Sequence, residues 1–228
     1  MIGYSDHSNP DRITRIHKWI GRVLLIIVGL EWIYFLIGAQ WLSLFVVSLL
    51  LIVLFLPIIF RKRFQVEIPA EFHLAAVLFS FAALYLGELQ EFYERVWWWD
   101  IALHASAGLL MGIFGFLLIY ILNESRRIDI HLNPGFTAFF AFTFAVTTGT
   151  LWEIFEFAMD QVFGLNMQKP MLGDPSGLTD TMWDMIVNAI GAFIISMTGW
   201  WYLKYNKNYF VKEWIRKFIK KNPKLFDR

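Results

Sequence analysis

Trp152-Glu153-Ile154-Phe155-Glu156-Phe157-Ala158-Met159-Asp160 closes an apolar run that begins at Pro134. A run of that length reads as a membrane-crossing helix, since roughly 20 apolar residues span a bilayer. Its three acids stand at i, i+3 and i+7, which puts them on one helical face. They fall at the C-terminal end of the helix, where the macrodipole disfavours negative charge. Capping explains acids at a helix start, and so does not explain these three.

The whole chain has the same character. Of its 228 residues, 57% are hydrophobic and 18% aromatic, and its mean hydropathy is +0.51. Soluble domains are nearer half apolar. The class is therefore all-α, a polytopic membrane helix bundle. There is no cysteine, which excludes disulfides, thiolate nucleophiles and Cys-ligated metals. The net charge of +1 is uninformative as a total. The lipid bilayer is the expected partner, and no nucleic acid is expected.

Six apolar runs are expected to cross the membrane: about 20–38, 41–60, 69–86, 100–123, 134–160 and 179–202. No small-residue cleavage site follows the first, which reads as a retained anchor. Gly38-Ala39-Gln40 is a turn signal, and Asn133-Pro134 a cap followed by a first-turn proline. The organisation is an N-terminal segment 1–19, a six-helix transmembrane domain 20–203 and a tail 204–228, with no internal repeat. In the tail, Phe210, Trp214 and Phe218 alternate with Lys and Arg, so a short basic amphipathic helix on the inner leaflet is expected. With the N-terminus inside, eighteen of the twenty Lys and Arg fall on inner segments, and only Arg95 and Lys169 lie outside. That split predicts cytoplasmic termini and a location in the cell (inner) membrane.

The acids are distributed the other way. Ten of nineteen lie at or near the outer side, from Glu88 to Asp184. Three helices bring polar groups to matched depth: Asp100 and His104; Glu153, Glu156 and Asp160; Asp180, Asp184 and Asn188. Each has a plain explanation alone. Asp100 and Asp180 open helices and cap them, His104 is a packing histidine, and Asn188 bonds between helices. Glu88, Glu91 and Glu94 read as a solvated face, and Asp174 as a turn residue. Glu31, in the first run, is either a member of a buried pair or a second functional acid.

As a set they demand more. Like charges in one site do not all stay ionised without compensation, and two outer bases do not supply it. Shared protons or a bound cation remain. Carboxylates, an imidazole and an amide oxygen suit a divalent metal cation. The expected ligands are Glu156, Asp184 and Asn188, completed by Asp100 or His104. Glu153 or His104 is the expected general base, and Asp100, Asp160 and Asp180 line the site. Gly108 and Gly112 below His104, Gly149 before Glu153, and Gly191 and Ala192 beyond Asn188 are small enough to let the helices meet.

The segments Trp99-Asp100-x3-His104-x3-Gly108, Trp152-Glu153-x2-Glu156-x3-Asp160 and Gly177-Leu178-Thr179-Asp180-Thr181-Met182-x-Asp184-x3-Asn188-x2-Gly191-Ala192 resemble the YjdF-like bacterial inner-membrane proteins of unknown function. The likeness runs from about Leu84 to Gly199. It is similar, more distantly, to VanZ-like membrane proteins, whose patterns are Asp-x3-His, Glu-x2-Gln and Asp-x3-Asn-x2-Gly. Glu156 stands where that pattern has an amide, which makes this site more anionic. The resemblance implies that the motifs belong together, and supplies no reaction.

Three functions fit. One is a metal-dependent hydrolase or transferase acting at the outer face on a lipid or cell-envelope substrate, with the Gly- and Pro-rich loop from Gln161 to Leu178 as a candidate lid. The others are an accessory or structural membrane protein, and a cation- or proton-coupled transporter. A carrier usually shows repeats and a midplane site, and this sequence has neither.

Overall fold

The computed structural model describes residues 10–64, 70–124 and 132–205, together with 218, 221 and 222. The expected amphipathic tail helix therefore lies almost wholly outside the described residues, as do residues 1–9 and the loop carrying Arg126 and Arg127. The described chain is all-helical: α1 (Pro10–Ile37), α2 (Trp41–Phe64), α3 (Ala70–Ser80) running into a π-helical stretch Phe81–Leu89, a short α4 (Phe92–Arg95), α5 (Trp99–Glu124), α6 (Pro134–Phe163) and α7 (Leu178–Tyr205). Five stretches are long and apolar enough to cross a membrane: Ser43–Arg63, Glu71–Leu89, Trp99–Ile119, Pro134–Phe163 and Leu178–Tyr205. The first expected span falls within α1 and is not among these five.

The chain forms two compact units, Met1–Phe92 and Tyr93–Arg228. In the first, α1 turns into α2 at the expected place. Gly38 N–H donates to Tyr34 O at 3.0 Å and Gln40 N–H to Phe35 O at 3.0 Å. Ala39 between them takes a left-handed φ of 51°. Val28, Val47, Leu50, Leu54 and Val77 form the buried core of this unit. Pro57 sits inside α2 and has no N–H to give the carbonyl four residues earlier. His73 Nε2 donates to that carbonyl, Val53 O, at 3.3 Å. His73 is thus a backbone partner in an apolar span.

The π-helical stretch carries Tyr85, whose hydroxyl donates to Glu31 Oε1 at 2.8 Å. Glu31 is thus one member of a part-buried pair, and its second oxygen, Oε2, is buried without a hydrogen bond. The widened turn ends at Gln90, whose N–H reaches back five residues to Tyr85 O at 3.0 Å. The span therefore runs three residues past the expected end near Leu86. Nothing in the composition of Phe81–Leu89 announces the wider winding.

In the second unit α5, α6 and α7 each pack on the other two. Asn133 caps α6 through its side chain, accepting from Phe136 N–H at 2.8 Å, with Pro134 in the first turn. The helix runs one residue short of Gly164, which closes it with a φ of 63° and an N–H to Asp160 O at 3.0 Å. Close packing depends on the small residues. A Cβ on Gly108 would collide with Asn188 O, one on Gly191 with Ala105 O, and one on Gly149 with the Asn188 amide. A Cβ on Gly115 would come within 2.7 Å of Ala141 Cα. Large apolar side chains such as Leu151, Phe157, Ile190 and Phe193 stay exposed on the outside, where a bilayer would cover them.

Candidate functional site

Asp100 lies in the first turn of α5 and His104 one turn further on the same face. Asp100 Oδ1 stands 3.4 Å from His104 Nε2. From α7, Asp184 Oδ2 approaches the same nitrogen at 3.9 Å. From α6, Glu153 Oε1 stands 3.6 Å from the other ring nitrogen, Nδ1. One imidazole thus joins three helices. One ligand atom each from Asp100, His104 and Asp184 lie within 4.8 Å of one another. Two ligands of one ion at about 2.1 Å can be at most ~4.2 Å apart, so a small inward movement would bring all three onto a single cation.

The α6 and α7 members of the site are buried. Asp184 is 0% exposed, Asn188 2%, and Glu153 and Asp180 3%. Both oxygens of Glu153, both of Asp184 and Oδ1 of Asn188 are buried without a hydrogen bond. Leaving such groups unmade costs on the order of 1–3 kcal/mol each, and more for charged ones. Asn188 spends its amide on Ala145 O at 3.3 Å and fills the space that Gly149 leaves. With Gly108 against its backbone, it closes the bundle just beneath the site.

Two of the expected lining acids are engaged elsewhere. Asp160 accepts from Met167 N–H at 2.7 Å and Gln168 N–H at 2.9 Å. Asp180 accepts from Lys169 N–H at 2.7 Å. Three consecutive loop amides are therefore held by two carboxylates. Gln168 Nε2 adds a bond to Thr181 Oγ1 at 2.6 Å. To act as a lid, the loop would have to break these bonds. Asp174 is the turn residue expected. It accepts from Ser176 N–H at 2.9 Å and from Thr179 N–H at 3.0 Å, the latter in the first turn of α7. Hydrogen bonds from Ser176, then Thr179, hold its carboxyl below the usual aspartate range.

Of the three expected metal ligands, Asp184 is in the converging group. Glu156 lies one turn beyond Glu153 and takes a hydrogen bond from Trp152 Nε1 at 2.8 Å. Asn188 lies one turn below Asp184. Asp100 and His104, of which one or the other was expected to complete the ligand set, both stand beside Asp184. Their i, i+4 spacing and shared depth were the available signal. The assignment of loop amides to Asp160 and Asp180 had none, because backbone donors leave no trace in composition.

Several apolar helices around one buried acid–histidine group define a multi-pass membrane protein. Residues 20–205 match the family model described as "Predicted membrane protein (DUF2238)", and the chain belongs to that family. It is 28% identical over 178 residues to an uncharacterised protein of Thermotoga maritima, covering 78% of this chain and 86% of that one. No solved structure matches it.

Proposed function

We propose that Asp100, His104 and Asp184 hold a divalent cation at the outer side of a six-span inner-membrane protein with both termini cytoplasmic. Four buried carboxylate oxygens of Glu153 and Asp184, unpartnered around one histidine, carry this reading. A cation would give the Asp184 oxygens, which accept no hydrogen bond and meet only His104 at 3.9 Å, a direct partner. Glu153 at the opposite ring nitrogen fixes the tautomer and orientation of a ligating histidine, as outer carboxylates do at metal sites. Asn188 Oδ1, one turn below Asp184, and Glu156, one turn beyond Glu153, are further oxygen donors on the same two helices. Asp160 and Asp180 hold the loop over the helix ends.

Such an ion polarises a carbonyl or phosphoryl oxygen, or lowers the pKa of a bound water. The activity this supports is hydrolysis or group transfer on a lipid or envelope substrate. Elemental analysis of gently purified protein tests it: about one divalent ion per chain is expected, and its absence would remove the metal from the proposal.

A structural or accessory role is the second reading. What favours it is that Asp160 and Asp180 are satisfied by loop amides and need no cation. Transport has less support, because Asn188 and the glycines close the bundle below the site.

A further inference from the structure

Every acid in the converging group follows a tryptophan: Trp99-Asp100, Trp152-Glu153 and Trp183-Asp184. Trp152 and Trp183 are exposed on the outside of the three-helix unit, and so are Trp97 and Trp98 at its α5 edge. Tryptophan concentrates at the membrane–water boundary, with its ring at headgroup level. These neighbours therefore set the acids at the depth of lipid headgroups.

The accessible edge of the site is equally specific. The side chains of Asp100 and His104 are 17% and 13% exposed, whereas those of Glu153 and Asp184 are 4% and 0%. On the α6 and α7 ends, Asp160 and Asp180 hold loop amides, and Asn188 packs against Gly149 below. The most exposed edge of the group is thus the first turn of α5, next to the exposed Trp97 and Trp98.

Charge then selects what enters. Residues 93–104 and 152–184 contain eight acids against Arg95 and Lys169. A single divalent ion leaves that end negative, and such a field attracts cations and repels anions. Glu153 Oε1 faces His104 Nδ1 at 3.6 Å, and neither of its buried oxygens meets hydrogen-bond geometry. A primary ammonium brings three donors and a positive charge, whereas a quaternary ammonium brings the charge alone.

We infer that the site takes an amphiphile whose headgroup joins a phosphoester to a primary amine, entering sideways from the headgroup layer at the α5 edge. The phosphoester oxygen faces the cation at Asp184 and the ammonium faces the surrounding carboxylates. This rests on the cation reading above.

The test uses the full-length protein in detergent micelles, loaded with Mn(II), whose retention is first read by electron paramagnetic resonance. Short-chain phosphatidylethanolamine, phosphatidylcholine and phosphatidylglycerol, and water-soluble phosphoethanolamine, are then added. Paramagnetic broadening of each phosphorus NMR line is measured. The ethanolamine lipid should broaden most, roughly fivefold beyond the glycerol lipid, the worth of about one charge at a membrane surface. Asp184→Asn should abolish the difference. Should that variant fail to fold, wild type loaded with diamagnetic Ca(II) is the unbroadened control. Equal broadening of the ethanolamine, choline and glycerol lipids would overturn the headgroup assignment. Equal broadening by soluble phosphoethanolamine would overturn entry from the bilayer. Retained Mn(II) with no lipid broadened overturns this inference and leaves the cation site standing. Failure to retain Mn(II) overturns both.

Discussion

Glu153 Oε1 stands 3.6 Å from His104 Nδ1, while Asp100 Oδ1 lies 3.4 Å from Nε2 on the opposite side of the ring. The imidazole thus lies between two acids, one beside each nitrogen. Glu153→Gln keeps the shape and loses the charge. If Glu153 orients a ligating histidine, that substitution should weaken divalent-cation affinity by about 10–100-fold. Isothermal titration with Mn(II) or Zn(II) would measure it. Unchanged affinity would show that the ring is positioned by packing alone.

The glycine contacts give a test of packing that is independent of chemistry. Gly149→Ala would drive a methyl group into the Asn188 side chain, and Gly108→Ala would drive one into its backbone. Overpacking of this kind costs about 1–3 kcal/mol. The side-chain amide has more room to shift than the helix backbone, so Gly108→Ala should be the worse of the two. Gly29→Ala is the control, because nothing lies within 4 Å of its added Cβ. Thermal unfolding in detergent should rank the variants in that order.

These contacts also explain how much was legible beforehand. Apolar length and the cap at Asn133 are local properties, so the later helices stood out in the sequence. The i, i+4 spacing of Asp100 and His104, and of Asp184 and Asn188, placed their faces correctly. Which acids meet was a different matter. It depends on how closely α5 and α7 approach at Gly108 and Gly191, and spacing within one helix carries no record of that distance. Hence the sequence offers Asp184 as a ligand joined by Asp100 or His104, and only the packed interface brings both of them beside it. The π-helical winding at Phe81–Leu89 and the amide partners of Asp160 were hidden for the same reason. Both are settled by backbone geometry and tertiary contact.

Asp174 makes the pH dependence of the loop calculable in sign. Its folded carboxyl is held below the ordinary aspartate value by Ser176 and Thr179. A depressed pKa contributes stability that is present above the unfolded value, about 3.9, and is lost as pH falls through the lower folded value. Hydrogen exchange at Ser176 and Thr179, corrected for intrinsic rate, should therefore stay protected somewhat below the ordinary aspartate pKa. Protection should disappear only in stronger acid. Asp174→Ala should expose both amides at neutral pH and leave those of Met167 and Gln168 protected by Asp160. Loss of all four together would mean that the loop opens as one unit.

Topology rests on the distribution of Lys and Arg. Reporter fusions after Met171 should read periplasmic, and fusions at the C-terminus cytoplasmic. The opposite result would put the acid–histidine group on the inner side and remove the argument from outer charge.

The last expectation concerns Asp184, the most buried acid of the group, both of whose oxygens are buried without a hydrogen bond. A cation that binds the folded protein alone raises its stability with concentration, by about 2.7 kcal/mol at a hundredfold excess over the dissociation constant. Wild type should melt at lower temperature after chelation and recover when the ion is restored. Asp184→Asn keeps the volume and removes the charge, so it should lose most of that dependence. Without metal, it should melt no lower than wild type, and higher if repulsion with Asp100 and Glu153 is the larger effect. A purely structural network behaves otherwise. There the chelator changes nothing, and Asp184→Asn shifts melting by the same amount in its presence and absence. Melting curves of the two proteins, with and without chelator, separate the cases. If no added Mg(II), Mn(II), Ca(II) or Zn(II) moves either curve, the cation site is refuted.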